Sequence, residues 1–275
     1  MAGRPVSPQG HSAADVARAA ARAAGAISAE RFRTLAAGNP IERVVKGRGN
    51  YVTDTDVACE EAAISVIREA FPDHRMLSEE TSAHVKDWDR GWLWVIDPID
   101  GTANFARGIP SFVFNIALCF DGDPVLGLTH QPVTGDEFFA ARGEGLWVNG
   151  VRARVSQVAT LPDALMGIGL GYDYDRAKKA LHILGDLWPG VQMIQNIGTA
   201  ALGLAYAASG RFDLYVHQYL FPWDMAAGIV QVREGGGLAI DREGQPVTIY
   251  SEGLIAGAAG PVEEFLRFSQ GREWR

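Results

Sequence analysis

The residues best suited to chemistry lie in one stretch, "WVIDPIDGTANF" at 94–105, where Asp97 and Asp100 stand three positions apart after an apolar run. Two like charges at the end of a buried strand repel each other and resist desolvation, so a cation between them is the natural resolution. Pro98 restrains the backbone between the carboxylates and Gly101 permits close backbone approach. Thr102 adds a hydroxyl. If "GTANF" opens a helix, its first amides lack intrahelical acceptors and favour an anion such as phosphate. The stretch therefore predicts carboxylates for a metal ion beside amides for a phosphate. Taken singly, Asp100 reads as a helix cap and Asp97 as a turn former; together, after so apolar a strand, they carry the functional reading.

Two more acids sit at element ends. Glu79 in "LSEET" follows the short strand "RML", and Asp224 in "FPWDMAAG" starts an amphipathic helix, where it also reads as a cap. The elements that must position these groups follow from the pattern. A first helix is expected from Val16, Ala19, Ala20, Ala23, Ala24 and Ile27, opened by a Ser12/Asp15 capping box. A polar, flexible stretch "KGRGNYVTDTD" precedes a second helix over Asp54–Ala70, stopped by Pro72. "WLWVI" (92–96) is a buried strand ending at Asp97. From Ser111 to about Val155 strand-like runs form an antiparallel meander, with an Asn149-Gly150 turn. Strands and helices then alternate to the C-terminus. This predicts an α/β protein of layered sheets and helices, with subdomains 1–155 and 156–275 forming one continuous catalytic unit.

Composition narrows the partners. The 275 residues are 47% hydrophobic and 21% charged, with a formal charge of −8. That balance argues against broad electrostatic binding to nucleic acid or anionic membrane, so neither is an expected partner. No apolar run approaches the roughly 18 residues of a membrane span. Cys59 and Cys119 sit in apolar segments and read as buried free thiols, which fits a reducing, cytoplasmic location.

The whole set, "WVIDPIDGTANF" with "EE" at 79–80 upstream and "WD" at 223–224 before "AAG", resembles the inositol monophosphatase family. "VTDTD" near residue 54, "GEGLWVNG" after the meander and "GTAAL" at 198 fall in that family's order across nearly the whole chain. The resemblance implies an αβαβα sandwich, as in inositol monophosphatase and fructose bisphosphatase, and a Mg²⁺-dependent, lithium-sensitive phosphatase with two or three ions. Glu79, Asp97 and the Ile99 carbonyl would hold one Mg²⁺; Asp97, Asp100 and Asp224 would hold a second, weaker one. Glu80 stays outside this set. All-oxygen ligation suits Mg²⁺, and no Cys/His cluster argues for zinc. The amides of Gly101 and Thr102 would cradle phosphate, while Thr102, Asp56 and Glu79 serve the attacking water. Asp56 has a second reading, because Thr53-x-x-Asp56 is itself a capping-box start. Lys46 reads either as a surface lysine or as a group approaching the phosphate. Ala200 matches a backbone substrate contact. A homodimer is also implied, with "FVFNIALCF" (112–120) and its flanks as an apolar interface.

One position departs from the family pattern. Seven residues before the last metal aspartate, where a glutamate binds inositol hydroxyls, stands His217, with no acid between Leu214 and Trp223. His217 reads as a strand-end surface residue or as a substrate contact of different chemistry. Inositol monophosphate is the default small phosphorylated substrate; fructose 1,6-bisphosphate, histidinol phosphate and 3′-phosphonucleotides stay open. A non-enzymatic alternative is a transcription- or RNA-associated partner protein. "DTDVA" at 54–58 superficially resembles a haloacid dehalogenase nucleophile motif, but no apolar strand precedes it and Ala58 takes the expected hydroxyl or valine position. "GIGLGYD" lacks the third glycine of a dinucleotide loop, and no Walker-type loop occurs.

Overall fold

Local signals account for most element boundaries in the computed structural model, which describes residues 5–36, 43–47, 50–81 and 88–274. Helix α1 (Ala13–Ala36) opens with the predicted reciprocal cap: the Ser12 amide donates to Asp15 Oδ2 and the Asp15 amide to Ser12 Oγ, both at 3.2 Å. Its buried stripe of Val16, Ala17, Ala20, Ala21 and Ala24 lets α2 (Asp54–Ala70) pack closely against it. The stretch expected to be flexible is instead an antiparallel hairpin, β1 (Arg43–Gly47) with β2 (Asn50–Thr53). Val44 opposite Val52 and Val45 opposite Tyr51 give it β-branched and aromatic cross-strand pairs. Arg48 and Gly49 of "KGRG" lie outside the described residues.

The first sheet contains β3 (Arg75–Ser78), β4 (Trp92–Asp100), β5 (Val113–Phe120), β6 (Asp123–Gln131), β7 (Asp136–Ala141), β8 (Gly145–Val148) and β9 (Val151–Ala153), in chain order. Only β3–β4 is parallel. A four-residue helical turn, α3 (Thr102–Phe105), follows β4. Trp94, Ile96, Phe114, Ile116 and Leu118 face α1 and α2, while Leu93, Val95, Ala117 and Cys119 face the opposite side. A strand covered on both faces reads as a continuous apolar run. This corrects the expectation that "FVFNIALCF" supplies an intersubunit surface: β5 is buried inside its own sheet and is spent on this chain's core.

The second sheet has the order β11-β10-β12-β14-β13. Its strands are β10 (Leu165–Gly169), β11 (Met193–Gln195), β12 (Leu214–His217), β13 (Leu238–Ile240) and β14 (Leu254–Gly257), interleaved with α4 (Tyr174–Leu187), α5 (Ala200–Ala208), α6 (Pro222–Glu234) and α7 (Ala259–Phe268). Leu204 of α5 and Ile229 of α6 pack between Ala140 and Leu146 of the first sheet and Tyr215 and Ala256 of the second. α6 lies so close to β6 that a Cβ on Gly127 would stand 2.5 Å from the Ala227 carbonyl oxygen. Ile183 and Leu187 of α4, with Val262 and Phe265 of α7, close the outer face. The layers run helix pair, sheet, helix pair, sheet, helix pair, which is the αβαβα sandwich expected. Both cysteines are free and buried. Among the described residues, no helix is long and apolar enough to cross a membrane.

Candidate active site

Strand β4 does not stop at Asp97. Asp97 pairs with Asn115 and Asp100 with Val113, so β4 advances three residues while β5 advances two. Pro98 has no N–H to offer the ladder, and the resulting bulge absorbs it. The strand thus carries both aspartates to its carboxyl end. Gly101 then turns the chain at φ +94°, where an added Cβ would sit 3.0 Å from the Ser111 carbonyl.

Asp97, Asp100 and Asp224 converge: one carboxylate oxygen of each lies within 4.8 Å of the others. Asp97 and Asp100 are buried and Asp224 is partly so. Asp97 Oδ1 accepts from the Ile99 amide at 3.1 Å. Asp100 Oδ2 accepts from the Ala201 amide at 2.6 Å and from the Thr199 hydroxyl, at the start of α5. Asp224 sits in the first turn of α6 and accepts the Phe221 amide at 2.7 Å, so its capping reading holds beside its place in the cluster. Burial pushes the pKa of Asp97 well up, and the neighbouring charges of Glu79, Asp100 and Asp224 push it further. Burial and Asp100 do the same to Asp224. Burial raises Asp100 too, opposed by Thr199 and the α5 amides. Three crowded carboxylates that resist ionising are a site waiting for positive charge.

Glu79 leaves β3 beside β4 and lines the same cleft. Its Oε1 lies 3.3 Å from Lys46 Nζ, which also reaches Glu80 at 2.6 Å. Burial raises the Glu79 pKa to about 7 despite Lys46. Burial also opposes the charge on Lys46, but the two glutamates outweigh it and hold its pKa above the ordinary value. Lys46 therefore pairs with both glutamates, of which Glu79 lines the cleft.

Thr102 Oγ1 stands 3.0 Å from both Asp56 Oδ1 and the Ile99 carbonyl, with one proton to give. The other oxygen of Asp56 accepts the Thr53 amide at 2.9 Å and the Thr53 hydroxyl. One oxygen of Asp56 thus caps α2 and the other meets Thr102.

His217 ends β12 at 4% exposure and lines the cleft, so the surface reading is excluded. Its Nδ1 accepts the Tyr219 amide at 3.2 Å, which assigns the proton to Nε2. Burial depresses its pKa to about 3, so the imidazole is neutral. The ring lies over Gly169, where a Cβ would stand 2.0 Å from Cδ2. Ala200 also lines the cleft, as the first residue of α5; burial-opposing amides of that turn, including its own, bear on Asp100.

Sequence reading missed several contributors. Glu60, fully buried in α2, accepts the Glu80 amide at 3.0 Å and the hydroxyls of Ser78 and Thr81, fixing the turn that presents Glu79. Its signal was an acid on the buried helix stripe with Cys59, Ala63 and Ile67. Thr199 and Asn115 gave no comparable signal. Tyr172 also lines the cleft; burial raises its hydroxyl pKa, reinforced by Asp100, Glu79, Asp224 and Asp97.

Two sheets clasping a helix pair, with an acidic cluster at the end of β4 lining a cleft of about 260 Å³, define a layered α/β protein with a crowded carboxylate site. The inositol monophosphatase family model matches residues 11–270, and the chain belongs to that family. Among curated relatives, Nus factor SuhB of Pasteurella multocida is 36% identical over 253 residues, 92% of this chain and 93% of the relative. The crystal structure of extragenic suppressor protein suhB from Bartonella henselae superposes with TM-score 0.86 at 32% identity, covering 94% of this chain and 98% of that one. A structure of SaIMPase-II with 2′AMP bound gives TM-score 0.77 at 28% identity, covering 92% and 91% of the two chains.

Proposed function

We propose that the protein is a Mg²⁺-dependent phosphatase acting on a small phosphate monoester. The convergence of Asp97, Asp100 and Asp224 carries this reading. The donor set fits Mg²⁺: every group is a hard oxygen, and the raised carboxylate pKa values are relieved by a cation. Glu79, Asp97 and the Ile99 carbonyl would hold one ion, and Asp97, Asp100 and Asp224 another. Bound there, Mg²⁺ would neutralise charge on a dianionic phosphate and would lower the pKa of a nearby water.

The chain's own groups do the rest. The amides of Gly101 and Thr102, at the first turn after the bulge, cradle phosphate oxygens. The Thr102 hydroxyl, held by Asp56, orients the attacking water, and Asp56 and Glu79 are the bases in reach to take its proton. Lys46 shifts from the glutamates toward the incoming phosphate charge. Ala200 and His217 face the alcohol that leaves. Subdomains 1–155 and 156–275 act as one catalytic unit, because the cluster draws Asp97 and Asp100 from the first and Asp224 from the second. Cytoplasmic residence, a homodimer and lithium sensitivity accompany this reading as family expectations.

The test is phosphate release with Mg²⁺ from inositol 1-phosphate, fructose 1,6-bisphosphate, histidinol phosphate and 3′-phosphoadenosine 5′-phosphate. Wild type, His217→Glu and Asp97→Asn are compared. Turnover lost in Asp97→Asn and in excess chelator supports the reading; turnover surviving the chelator overturns it. A second reading, a transcription-associated partner, is favoured by the Nus factor name of the relatives. It predicts that Asp97→Asn still performs the cellular role, which a purely catalytic protein could not.

A further inference from the structure

Beyond His217 the chain runs through a short loop to α6, and the alternation of β12 continues into it. Tyr215, His217 and Tyr219 line the cleft, whereas Val216 packs on the outer side in one cluster with Phe265 of α7 and Trp274. Gln218 follows Val216 to that outer side and is fully buried there. A buried amide needs partners for both its ends.

Both partners come from distant parts of the chain. Gln218 Nε2 donates to the Trp274 carbonyl at 2.7 Å, and Oε1 accepts from Arg242 at 3.3 Å. Gly271, at φ +70°, bends the chain after α7, and Trp274 follows three residues on. The indole is fully buried, edge-on to Phe265 at 5.5 Å. The segment after α7 is thus anchored by a ring and hands its carbonyl to the residue between His217 and Tyr219.

Further contacts hold the same loop. The Leu220 amide donates to the Glu252 carbonyl at 2.6 Å. The Glu252 carboxylate pairs with Arg242 at 3.5 Å and with Arg176 at 2.7 Å, and the Arg176 guanidinium lies 4.5 Å from the centroid of the Tyr219 ring. A Cβ on Gly253 would stand 2.6 Å from the Gln218 carbonyl oxygen and 2.7 Å from that of His217, so the loop lies directly on the chain entering β14. Asp224 does not rely on these contacts, because Met225, Ile229 and Val230 fix α6 in the core between the sheets. The loop has an anchorage of its own, separate from that of the clustered aspartates.

Resting on the phosphatase reading, we propose that Gln218, anchored by Trp274, is a positioning residue: it sets where His217 and Tyr219 stand relative to the aspartates, and so how the alcohol portion of the substrate is seated. Without the tie the loop shifts while the phosphate end of the site keeps its geometry. A displacement of about 1 Å in groups that orient a substrate costs up to about a hundredfold. With Glu252 and Arg176 still holding the loop, the expected loss is about tenfold, and it falls on binding of the alcohol and not of the phosphate.

The experiment uses whichever of inositol 1-phosphate, fructose 1,6-bisphosphate, histidinol phosphate and 3′-phosphoadenosine 5′-phosphate the wild type turns over fastest. It measures KM, kcat, the inhibition constant of inorganic phosphate and the Mg²⁺ concentration for half-maximal rate in Gln218→Met, Trp274→Ala and Trp274→Phe. Trp274→Phe keeps the ring and the carbonyl and forfeits no hydrogen bond, since the indole N–H has no acceptor among the described residues. The expected result is a KM raised about tenfold in Gln218→Met and Trp274→Ala, with kcat, the phosphate constant and the Mg²⁺ requirement each within about twofold of wild type, and Trp274→Phe close to wild type throughout. An unchanged KM in folded Gln218→Met, or a KM that rises together with the phosphate and Mg²⁺ constants, overturns the proposal. If Gln218→Met does not fold, Trp274→Ala, which leaves the loop's own residues intact, decides by the same readouts. If wild type turns over none of the four, the phosphatase reading fails for these compounds, and amide hydrogen exchange decides the positioning. Tyr219 and Leu220 amides exchanging at least about tenfold faster in the two variants, with Tyr215 and Val216 unchanged, sustain it; equal exchange overturns it.

Discussion

Asn115 Nδ2 donates to the backbone carbonyl of Trp223 at 2.7 Å, across 108 residues of chain. Asn115 is also the residue opposite Asp97 on the neighbouring strand, and Trp223 precedes Asp224. One side chain therefore ties the strand carrying the first carboxylate to the helix turn carrying the last. Asn115 Oδ1 accepts from Thr129 Oγ1 at 2.7 Å, and Thr129 Oγ1 accepts from Gln231 Nε2 at 3.0 Å, so the tie continues along α6 through the core.

Asn115→Leu should shift the Mg²⁺ concentration needed for half-maximal phosphate release upward by about tenfold, since partners of a metal ligand commonly matter on that scale. Much of the turnover should return at saturating Mg²⁺. Loss of stability should reach about 1–3 kcal/mol from the buried hydrogen bonds lost to the Trp223 carbonyl and the Thr129 hydroxyl. An unchanged Mg²⁺ curve alongside lost stability would make Asn115 a packing residue alone.

Asp224→Asn keeps an oxygen for the Phe221 amide and removes one of three crowded charges. In chelator its melting temperature should equal or exceed that of wild type, while the gain on adding Mg²⁺ shrinks and turnover falls at least about tenfold. A melting temperature that drops sharply with activity intact would reduce Asp224 to a helix cap. Calorimetry with and without Mg²⁺ reads both.

Without metal, stability should depend on pH in a definite direction. Asp97, Asp100, Asp224 and Glu79 all have folded pKa values above their ordinary ones, Glu79 at about 7. The folded chain then binds more protons than the unfolded one, so their contribution is full below about pH 4 and is lost as pH rises through the folded values. The contribution of His217 runs the other way, because its folded pKa of about 3 lies below the ordinary 6.5: it is full above that value and lost as pH falls toward 3. His74 and His130 are lowered in the same way by burial, so the carboxylate trend stands alone only well above 6.5, where unfolded histidines no longer bind protons. Urea unfolding in chelator from about pH 7.5 to 9 should show declining stability, and Mg²⁺ should abolish the decline. A rising profile in chelator would contradict the arrangement of charges.

Gly101→Ala places a Cβ at a left-handed φ and 3.0 Å from the Ser111 carbonyl. Stability should fall by about 1–3 kcal/mol, and phosphate release should fall with it because Thr102 follows directly. Denaturant titration and the phosphate assay on the same preparation check this.

Signals contained within one segment were readable in advance. Thr53 and Pro72 bracket α2 where the structure places it, and the apolar run before Asp97 announced a strand buried on both faces. The bulge at Pro98 was not foreseen, because a missing N–H becomes informative only once β5 lies alongside. Short β13 also escaped notice, since three residues carry too little periodicity. The site divides in the same way. Carboxylates beside Gly-Thr declare themselves, whereas Thr199 meets Asp100 across 99 residues and Glu60 grips the turn after β3 from another helix. Such partners are ordinary residues until folding brings them into contact. Tyr172 is of this kind: the spacing of "GIGLGYD" gives it no role, and only folding sets it beside the carboxylates.

The three clustered aspartates come from strand β4 and from the first turn of α6, at positions 97, 100 and 224. A nascent chain synthesised only as far as the end of β12 already contains the most recognisable motif and still lacks the third aspartate. On the proposed Mg²⁺ reading, the capacity to capture a divalent cation is acquired only when α6 slots between the two sheets. Cation uptake would then be a readout of completed assembly, and a truncated or misdocked product would be metal-poor.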